Sequence, residues 1–280
     1  MSQNKFIVVH CFGMEIARIG YDENAKKTIF QYHKDYLESG AYPNLFPLII
    51  KRTKAAQVFT EFNNEAFRGL PPMIADSLPD MFGNLIFNVW LEGKQHGSKN
   101  ISVLEQLTYV ANRGMGALEY QPAKAINKDT SIDISEIAGV LKRVMESKSA
   151  TIGDGLSTEA LLNIFKIGTS AGGARPKILV SRHRETGKII PGDLETSVNY
   201  QHLLVKLSLD QPNGYSSEVI EYAYYLTATS LGIDMMHSEL IDAKHFATER
   251  FDRQCGEKID RKSTRLNSSH STLSRMPSSA

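Results

Sequence analysis

The chain has 280 residues, of which 41% are hydrophobic and 22% are charged, and its formal net charge at pH 7 is +1. This composition is typical of a globular protein with room for two domains, and it shows no bias towards a nucleic-acid or membrane surface. The two cysteines, Cys11 and Cys255, have neither disulfide-framework nor metal-site spacing, which predicts a reducing, cytoplasmic location. Residues 1–20 lack the pattern of a secretory signal, and no stretch approaches the roughly 18 apolar residues of a membrane helix.

The amino-terminal part has short β-branched and aromatic runs separated by turn residues, which predicts strands at residues 6–10, 15–20 and 28–32. A loop containing Gly69 and several prolines follows. Two helices are predicted next, at residues 80–90 and 102–114, with Ser102 as the N-cap of the second and Gly114 at its end. Residues 124–133 are polar and aperiodic, and we interpret them as a link between subdomains.

The second half begins with two predicted helices, at residues 134–147 and 157–166. Beyond a glycine-rich stretch the pattern changes, and it predicts strands at residues 178–181, 188–190, 202–208, 238–241 and 245–251, with a helix at residues 217–231. The order strand, strand, strand, helix, strand, strand is too antiparallel and too short-looped for a doubly wound sheet. The predicted fold class is therefore α+β.

Residues 261–280 contain neither acidic nor aromatic side chains, and their composition predicts disorder. The change of character near Asp260 is abrupt. It indicates that a folded domain is interrupted and that the tail is non-native, similar to translated vector sequence. A natural disordered tail is the alternative.

The glycine-rich stretch is GTSAGGARPKIL, residues 168–179. It is not a Walker A loop, because Ala174 and Arg175 stand where Lys and Ser or Thr are required, and it is not a Rossmann loop, because it follows a helix. Its small residues allow several backbone N–H groups to converge on an anion, with the Ser170 hydroxyl and the Lys177 charge nearby. The alternative is an ordinary turn in which glycines supply positive φ.

Lys206 lies within the apolar run HLLVKLS and is costly to bury unless a partner neutralises it. On the solvent face of a strand it would need no explanation. However, the order of a glycine loop, a hairpin, a lysine strand and a helix with Glu221 matches the ATP-binding lobe of protein kinases. Residues 247–253, ATERFDR, are then either an edge strand with solvated charges or the hinge that leaves this lobe.

The chain resembles the HipA-like serine/threonine kinases, the toxin partners of bacterial toxin–antitoxin pairs. The similar blocks, in chain order between about residues 6 and 253, are FRGLPPMIADSLPD, RGMGALEYQPA, SAGGARPK, HLLVKL, IEYAYYLTATSLGI and TERFDR. The resemblance implies a β-rich amino-terminal subdomain at residues 1–125, a helical linker region at 126–168 and a kinase-like ATP-binding small lobe at 169–260. The helical large lobe is expected to be missing.

The resemblance also assigns roles to individual residues. ATP is expected to contact Thr169, Ser170, Ala171, Gly172, Gly173, Lys206, Glu249 and Phe251, with Lys206 on the phosphates and the last two residues beside adenine. Glu221 is expected to pair with Lys206. Ser170 matches the loop serine that these kinases phosphorylate on themselves, and a phosphate there would disturb the anion-binding loop.

Phosphoryl transfer further requires a catalytic-loop Asp, and an Asn and a second Asp that hold Mg²⁺. In the family these residues lie beyond the hinge, and the sequence has no counterpart for them. Two motifs resemble the catalytic motifs of kinases, HKD at residues 33–35 and DMFG at residues 80–83. We dismiss both because they precede the ATP-binding region. The chain is therefore expected to be a truncated, catalytically inactive and poorly stable fragment of a kinase.

The partners implied by the resemblance are a helix-turn-helix antitoxin, DNA only through that antitoxin, and a protein substrate, for which aminoacyl-tRNA synthetases are examples in the family. A non-catalytic module that binds the antitoxin as a corepressor is the alternative from another functional class. A small-molecule kinase is a weaker alternative, because the amino-terminal blocks fit the protein-kinase toxins.

Overall fold

The structure, a computed structural model, describes residues 6–122 except 23, 44, 47, 65, 79–101, 113 and 115, residues 133–146, residues 176–209 except 193–197, residues 216–254 and residues 257–258. The predicted helices at residues 80–90 and 157–166, residues 124–132 of the predicted link, the glycine-rich residues 168–175 and the tail lie outside these ranges.

Five antiparallel strands form the first sheet in the order β4-β3-β2-β1-β5. They are β1 (Phe6–Cys11), β2 (Met14–Asp22), β3 (Lys27–Tyr32), β4 (Gln57–Phe59) and β5 (Leu118–Gln121). Ile7, Val9 and Cys11 of β1 are buried, in alternation with more exposed residues, as expected when one face of a sheet covers a core. The three predicted strands are confirmed, whereas β4 and β5 are too short for a recognisable alternation.

Three helices accompany this sheet: α1 (Lys34–Ser39), α2 (Pro72–Ala75) and α3 (Val103–Val110). In α3, the Ser102 hydroxyl accepts a hydrogen bond from the Glu105 amide at 3.2 Å, so the predicted N-cap is confirmed. The predicted end at Gly114 is wrong, because Ala111 already has a positive φ of 50° and ends the helix after Val110. Leu107 is fully buried against the sheet.

The next described element is α4 (Ile134–Glu146). Ile134, Ile137 and Leu141 are buried at helical spacing, which confirms the prediction for this segment. The Ser135 hydroxyl donates a hydrogen bond to the Asp242 carboxylate at 2.8 Å, which links α4 to the second sheet.

The second sheet has five antiparallel strands in the order β7-β6-β8-β10-β9. They are β6 (Lys177–His183), β7 (Ile189–Pro191), β8 (Tyr200–Lys206), β9 (Ser238–Ile241) and β10 (His245–Glu249), and α5 (Ser217–Ser230) lies between β8 and β9 in sequence. A two-stranded hairpin of β11 (Arg253–Gln254) and β12 (Glu257–Lys258) follows. Two antiparallel sheets with few helices confirm the α+β class.

Two predicted strand ends in this sheet are wrong. β8 ends at Lys206 rather than residue 208, because the Leu207 amide donates to the Pro176 carbonyl and the Ser208 amide donates to a side chain. β10 ends at Glu249 rather than residue 251, because the chain turns where Arg250 binds the carboxylate of Asp252.

Helix α5 and the loop after it expose many large apolar side chains, including Tyr224 and Leu231, which are 73% and 75% exposed. That the chain is poorly stable stays a prediction. Among the helices that the structure describes, none is long and apolar enough to span a membrane.

Candidate functional site

An ion pair between Lys206 and Glu221 lies at the end of strand β8. The Lys206 ammonium donates a hydrogen bond to the carboxylate of Glu221, which belongs to the first half of α5. The two side chains are 24% and 39% exposed. The structure thus brings together the lysine and the glutamate that the sequence singled out, and Lys206 is not a freely solvated strand lysine.

Phe246 of β10 also contacts Lys206. The two residues are directly opposite each other in the β8–β10 ladder, and the Lys206 nitrogen lies 5.6 Å from the centre of the Phe246 ring. A cation at this distance from an aromatic face is attracted by the ring quadrupole. The ammonium is therefore held from two sides, by a carboxylate and by a ring.

The glycine-rich stretch joins the second sheet beside Lys206. Its five predicted nucleotide-contacting residues, Thr169, Ser170, Ala171, Gly172 and Gly173, lie outside the described residues. The first described residue after them is Pro176, whose carbonyl accepts the Leu207 amide at 3.0 Å, and Lys177 is the cross-strand partner of Lys206. The chain therefore leaves the glycine-rich stretch at the same end of β8 that carries the ammonium.

Glu249 and Phe251 lie at the other end of the β8–β10 ladder. Glu249 pairs with Leu203, three residues before Lys206, which corresponds to about 10 Å along a strand. The Glu249 amide donates to the His237 carbonyl at 2.8 Å, so an adenine contact at Glu249 would have to use another group. The Phe251 side chain is half exposed.

A cavity of about 180 Å³ lies at this end of the sheet, lined by Arg184, Val198, Tyr200, His202, Glu249, Arg250 and Arg253. Side chains two residues apart on a strand share a face, so Tyr200 and His202 lie on the same face of β8 as Lys206. Pockets for whole drug-sized ligands measure about 300–1,000 Å³. This cavity therefore has room for only part of a nucleotide.

A buried charge cluster supports the cavity. Arg250 binds both oxygens of Asp252, at 2.9 and 2.8 Å, and Arg253 binds the same carboxylate at 2.9 Å. Burial by itself raises the pKa of Asp252, but the hydrogen bonds and charge of Arg250, together with the charge of Arg253, hold it below its ordinary value. Asp252 is thus ionised at neutral pH and orders the two arginines.

Sequence reasoning missed His202 and Tyr200, which line the cavity, and His245, which lies near Lys206 at the other end of β8. The first two were detectable, because residues 200, 202, 204 and 206 share a face in any strand that ends at Lys206. His245 carried no signal, since its partner Ser208 lies 37 residues away. Among the described residues, no group of three or more His, Cys, Asp or Glu side chains is arranged to hold a metal ion.

The HKD motif lies in a different part of the molecule. His33 precedes α1 and Asp35 lies in its first turn, beside β2 of the first sheet. It is therefore not part of the region around Lys206. The DMFG motif lies outside the described residues.

Two family descriptions match the sequence. The HipA N-terminal domain matches residues 7–121, which include almost the whole first sheet, and the HipA-like C-terminal domain matches residues 169–278, which include the whole second sheet. The second match extends through residues 261–278, for which composition predicts a disordered, non-native tail.

No curated protein matches the sequence. One similar solved structure is the complex of the toxin–antitoxin proteins HipA and HipB with their operator DNA, from Shewanella oneidensis MR-1. It is 19% identical, with a TM-score of 0.48, over 89% of this chain and 51% of that chain. This chain thus spans about half the length of that relative. With one HipA domain matching each of its two sheets, the chain belongs to the HipA-like proteins.

Proposed function

We propose that this chain contains the ATP-binding region of a HipA-like serine/threonine protein kinase toxin. The observation that carries the proposal is the Lys206–Glu221 ion pair, beside which the glycine-rich stretch enters the sheet. A carboxylate that orients a strand lysine, with a small-residue loop next to it, is the arrangement that binds nucleotide phosphates in protein kinases.

In this proposal Lys206 holds the phosphates of ATP, and the backbone amides of residues 169–173 surround them. Glu249 and Phe251 flank adenine at the other end of the β8–β10 ladder, about 10 Å away. The cavity beside Glu249 and His202 accommodates part of the base or ribose. Autophosphorylation of Ser170 would add about two negative charges to this loop and repel the nucleotide phosphates.

Phosphoryl transfer needs groups that the sequence after Arg253 does not contain. No H-x-x-D-x-x-x-x-N segment follows the hinge, and residues 261–280 lack Asp and Glu, the usual protein ligands of Mg²⁺. The magnesium ion that accompanies ATP would supply charge neutralisation on its phosphates. We therefore expect the 280-residue chain to bind nucleotide but not to transfer phosphate.

The partners follow from the family. We propose that the whole kinase binds a helix-turn-helix antitoxin in the cytoplasm, contacts DNA only through it, and phosphorylates a serine of a protein substrate, a class that in the family includes aminoacyl-tRNA synthetases. These proposals concern the complete protein.

Calorimetric titration of the 280-residue chain with ATP and Mg²⁺ tests the proposal. Lys206→Met removes the ammonium but keeps much of the side-chain volume. Because hydrogen bonds to charged groups contribute about 1.5–3 kcal/mol, we expect ATP affinity to fall about 10- to 100-fold. Lys188→Met is the matched control, since Lys188 is exposed in the turn between β6 and β7, and its ATP affinity should equal that of the wild type.

Equal affinity for ATP in the wild type and in Lys206→Met would contradict the proposed site. A chain that binds no nucleotide but captures a helix-turn-helix protein encoded by a neighbouring gene would favour the corepressor alternative. Phosphate transfer above background by the chain would contradict the expected inactivity.

A further inference from the structure

The strand that carries Lys206 ends beside a buried histidine side chain. His245 is fully buried at the start of β10, and its Nδ1 accepts a hydrogen bond from the backbone amide of Ser208 at 3.1 Å. Ser208 is itself buried. Because Nδ1 accepts this bond, it carries no proton, and the imidazole is the acceptor for a backbone amide only two residues beyond Lys206.

The geometry of the ladder explains why a side chain is needed there. Lys206 and Phe246 form the last pair between β8 and β10, and the next amide, that of Leu207, donates to Pro176 on the opposite side. The Ser208 amide then lies beyond the last ladder pair. A buried N–H group without an acceptor is unfavourable, so the imidazole takes the place of a backbone carbonyl.

This bond connects the strand that carries Lys206 with the strand that carries Phe246. His245 immediately precedes Phe246, whose ring lies 5.6 Å from the Lys206 nitrogen, and Ser208 follows Lys206 by two residues. The imidazole thus joins β8 to β10 directly beside the lysine. Without it, the Ser208 amide would lose this acceptor just beyond the last β8–β10 pair, and we expect the end of β8 at Lys206 to be less firmly held to β10.

We propose that His245 is a positioning residue for Lys206, and that it holds the ammonium at Glu221 in the orientation required for binding a nucleotide phosphate. The contribution to nucleotide binding rests on the proposed function, whereas the effect on Lys206 itself does not. Substitutions of His245 with and without a hydrogen-bond acceptor distinguish this role from core packing. Asn can place its side-chain oxygen near the Nδ1 position, whereas Leu keeps the buried volume without any acceptor.

The first experiment measures the environment of Lys206 directly. The 280-residue chain is treated with a limiting amine-acylating reagent, and the labelling rate of each lysine is followed by mass spectrometry. We expect His245→Leu to raise the rate at Lys206 at least threefold, towards that of Glu221→Gln, and His245→Asn to restore the wild-type rate. Lys188, in the turn between β6 and β7, should react equally in all variants and serves as the internal reference.

The second experiment compares ATP with adenosine, which lacks the phosphates. His245→Leu should weaken ATP binding at least fivefold and leave adenosine binding unchanged, and His245→Asn should recover most of the ATP affinity. His183→Leu is a matched control, because the His183 Nδ1 also accepts backbone amides but lies at the other end of the sheet. It should leave Lys206 labelling unchanged.

Several results would overturn the inference. These are an unchanged Lys206 rate in His245→Leu, the same rate in the Asn and Leu variants, or no response to Glu221→Gln, which would mean that no ion pair holds the ammonium. If His245→Leu does not fold, His245→Asn against His245→Gln gives the same comparison, since Gln places its oxygen elsewhere. Responsive labelling in a chain that binds no ATP would refute the proposed function while leaving the positioning role intact.

Discussion

At the scale of single residues, Asp252 shows how one carboxylate organises the segment after β10. It lies between Arg250 and Arg253, whose side chains are almost completely buried, and it hydrogen-bonds to both. Removing one partner from such a cluster is more costly than removing a surface charge, because buried guanidinium groups lose a carboxylate that neutralises them. The block TERFDR therefore contributes to the stability of the fold, in addition to its predicted contact with adenine.

Asp252→Asn should destabilise the chain by about 3 kcal/mol at pH 7, as measured by urea unfolding. The pKa of Asp252 is lowered in the folded protein, so the stability it contributes is present above its unfolded pKa and is lost as the pH falls through the lower, folded value. The difference between wild type and variant should thus be constant above about pH 5 and shrink below about pH 4.

Asp234→Asn is the control for this change, because Asp234 is exposed in the loop after α5. It should change the unfolding free energy by less than about 0.5 kcal/mol. An Asp252→Asn variant as stable as this control would show that the arginine cluster does not support the fold.

At the scale of elements, the FRGLPP block packs against the first sheet through Gly69. The Gly69 amide donates to the Phe62 carbonyl at 2.7 Å, and the Gly69 carbonyl accepts a hydrogen bond from the buried hydroxyl of Thr28 in β3. Gly69 has a φ of +85°, and a Cβ there would lie 2.5 Å from the Tyr21 ring in β2. This glycine is therefore explained by packing against two strands rather than by a chemical role.

Replacing this glycine tests the packing argument. Gly13→Ala, in the turn between β1 and β2, meets no atom within 4 Å but has a similar positive φ, and we expect a cost of about 1–2 kcal/mol from backbone strain alone. Gly69→Ala should cost about 1–3 kcal/mol more in urea unfolding, because the Tyr21 ring must move. The excess should decrease when Tyr21→Ala is combined with it, and an equal cost at both glycines would contradict the steric explanation.

At the scale of the whole molecule, the two sheets are joined by contacts between residues distant in sequence. Lys258 of β12 donates a hydrogen bond to the Leu118 carbonyl of β5 at 3.1 Å and lies 3.7 Å from the Glu119 carboxylate. The bond between Ser135 and Asp242 forms a second link. The hairpin that follows the predicted hinge is thus attached to the edge strand of the first sheet.

Lys258→Met should loosen this attachment. We expect faster amide hydrogen exchange in peptides covering residues 118–121 and 253–258, and a loss of about 1–3 kcal/mol in unfolding free energy, since a largely buried charged donor is removed. Lys54→Met is the control, because the Lys54 side chain pairs with Glu38 at the exposed surface. Unchanged exchange in both peptides would show that the hairpin is held by other contacts.

Sequence reasoning succeeded for features that depend on residues close together in the sequence. Strands β1, β2 and β6 were predicted within about two residues because alternation of apolar side chains is a local pattern. The Ser102 cap acts over three residues and was equally visible. The Lys206–Glu221 pair was expected from the kinase-like order of elements and from the family resemblance, since no periodicity links a strand residue to a helix residue 15 positions away.

The sequence by itself thus determined the α+β class, the order along the chain of the elements that form the second sheet, and the family. These depend on local side-chain patterns and on short sequence blocks that resemble those of the family. Only the tertiary structure decided where β8 and β10 end, that His245 binds the Ser208 amide, and that Lys258 attaches the hairpin to a strand 140 residues earlier. Those contacts depend on the path of the chain in space, because a buried polar group binds whichever partner the fold brings within hydrogen-bonding distance.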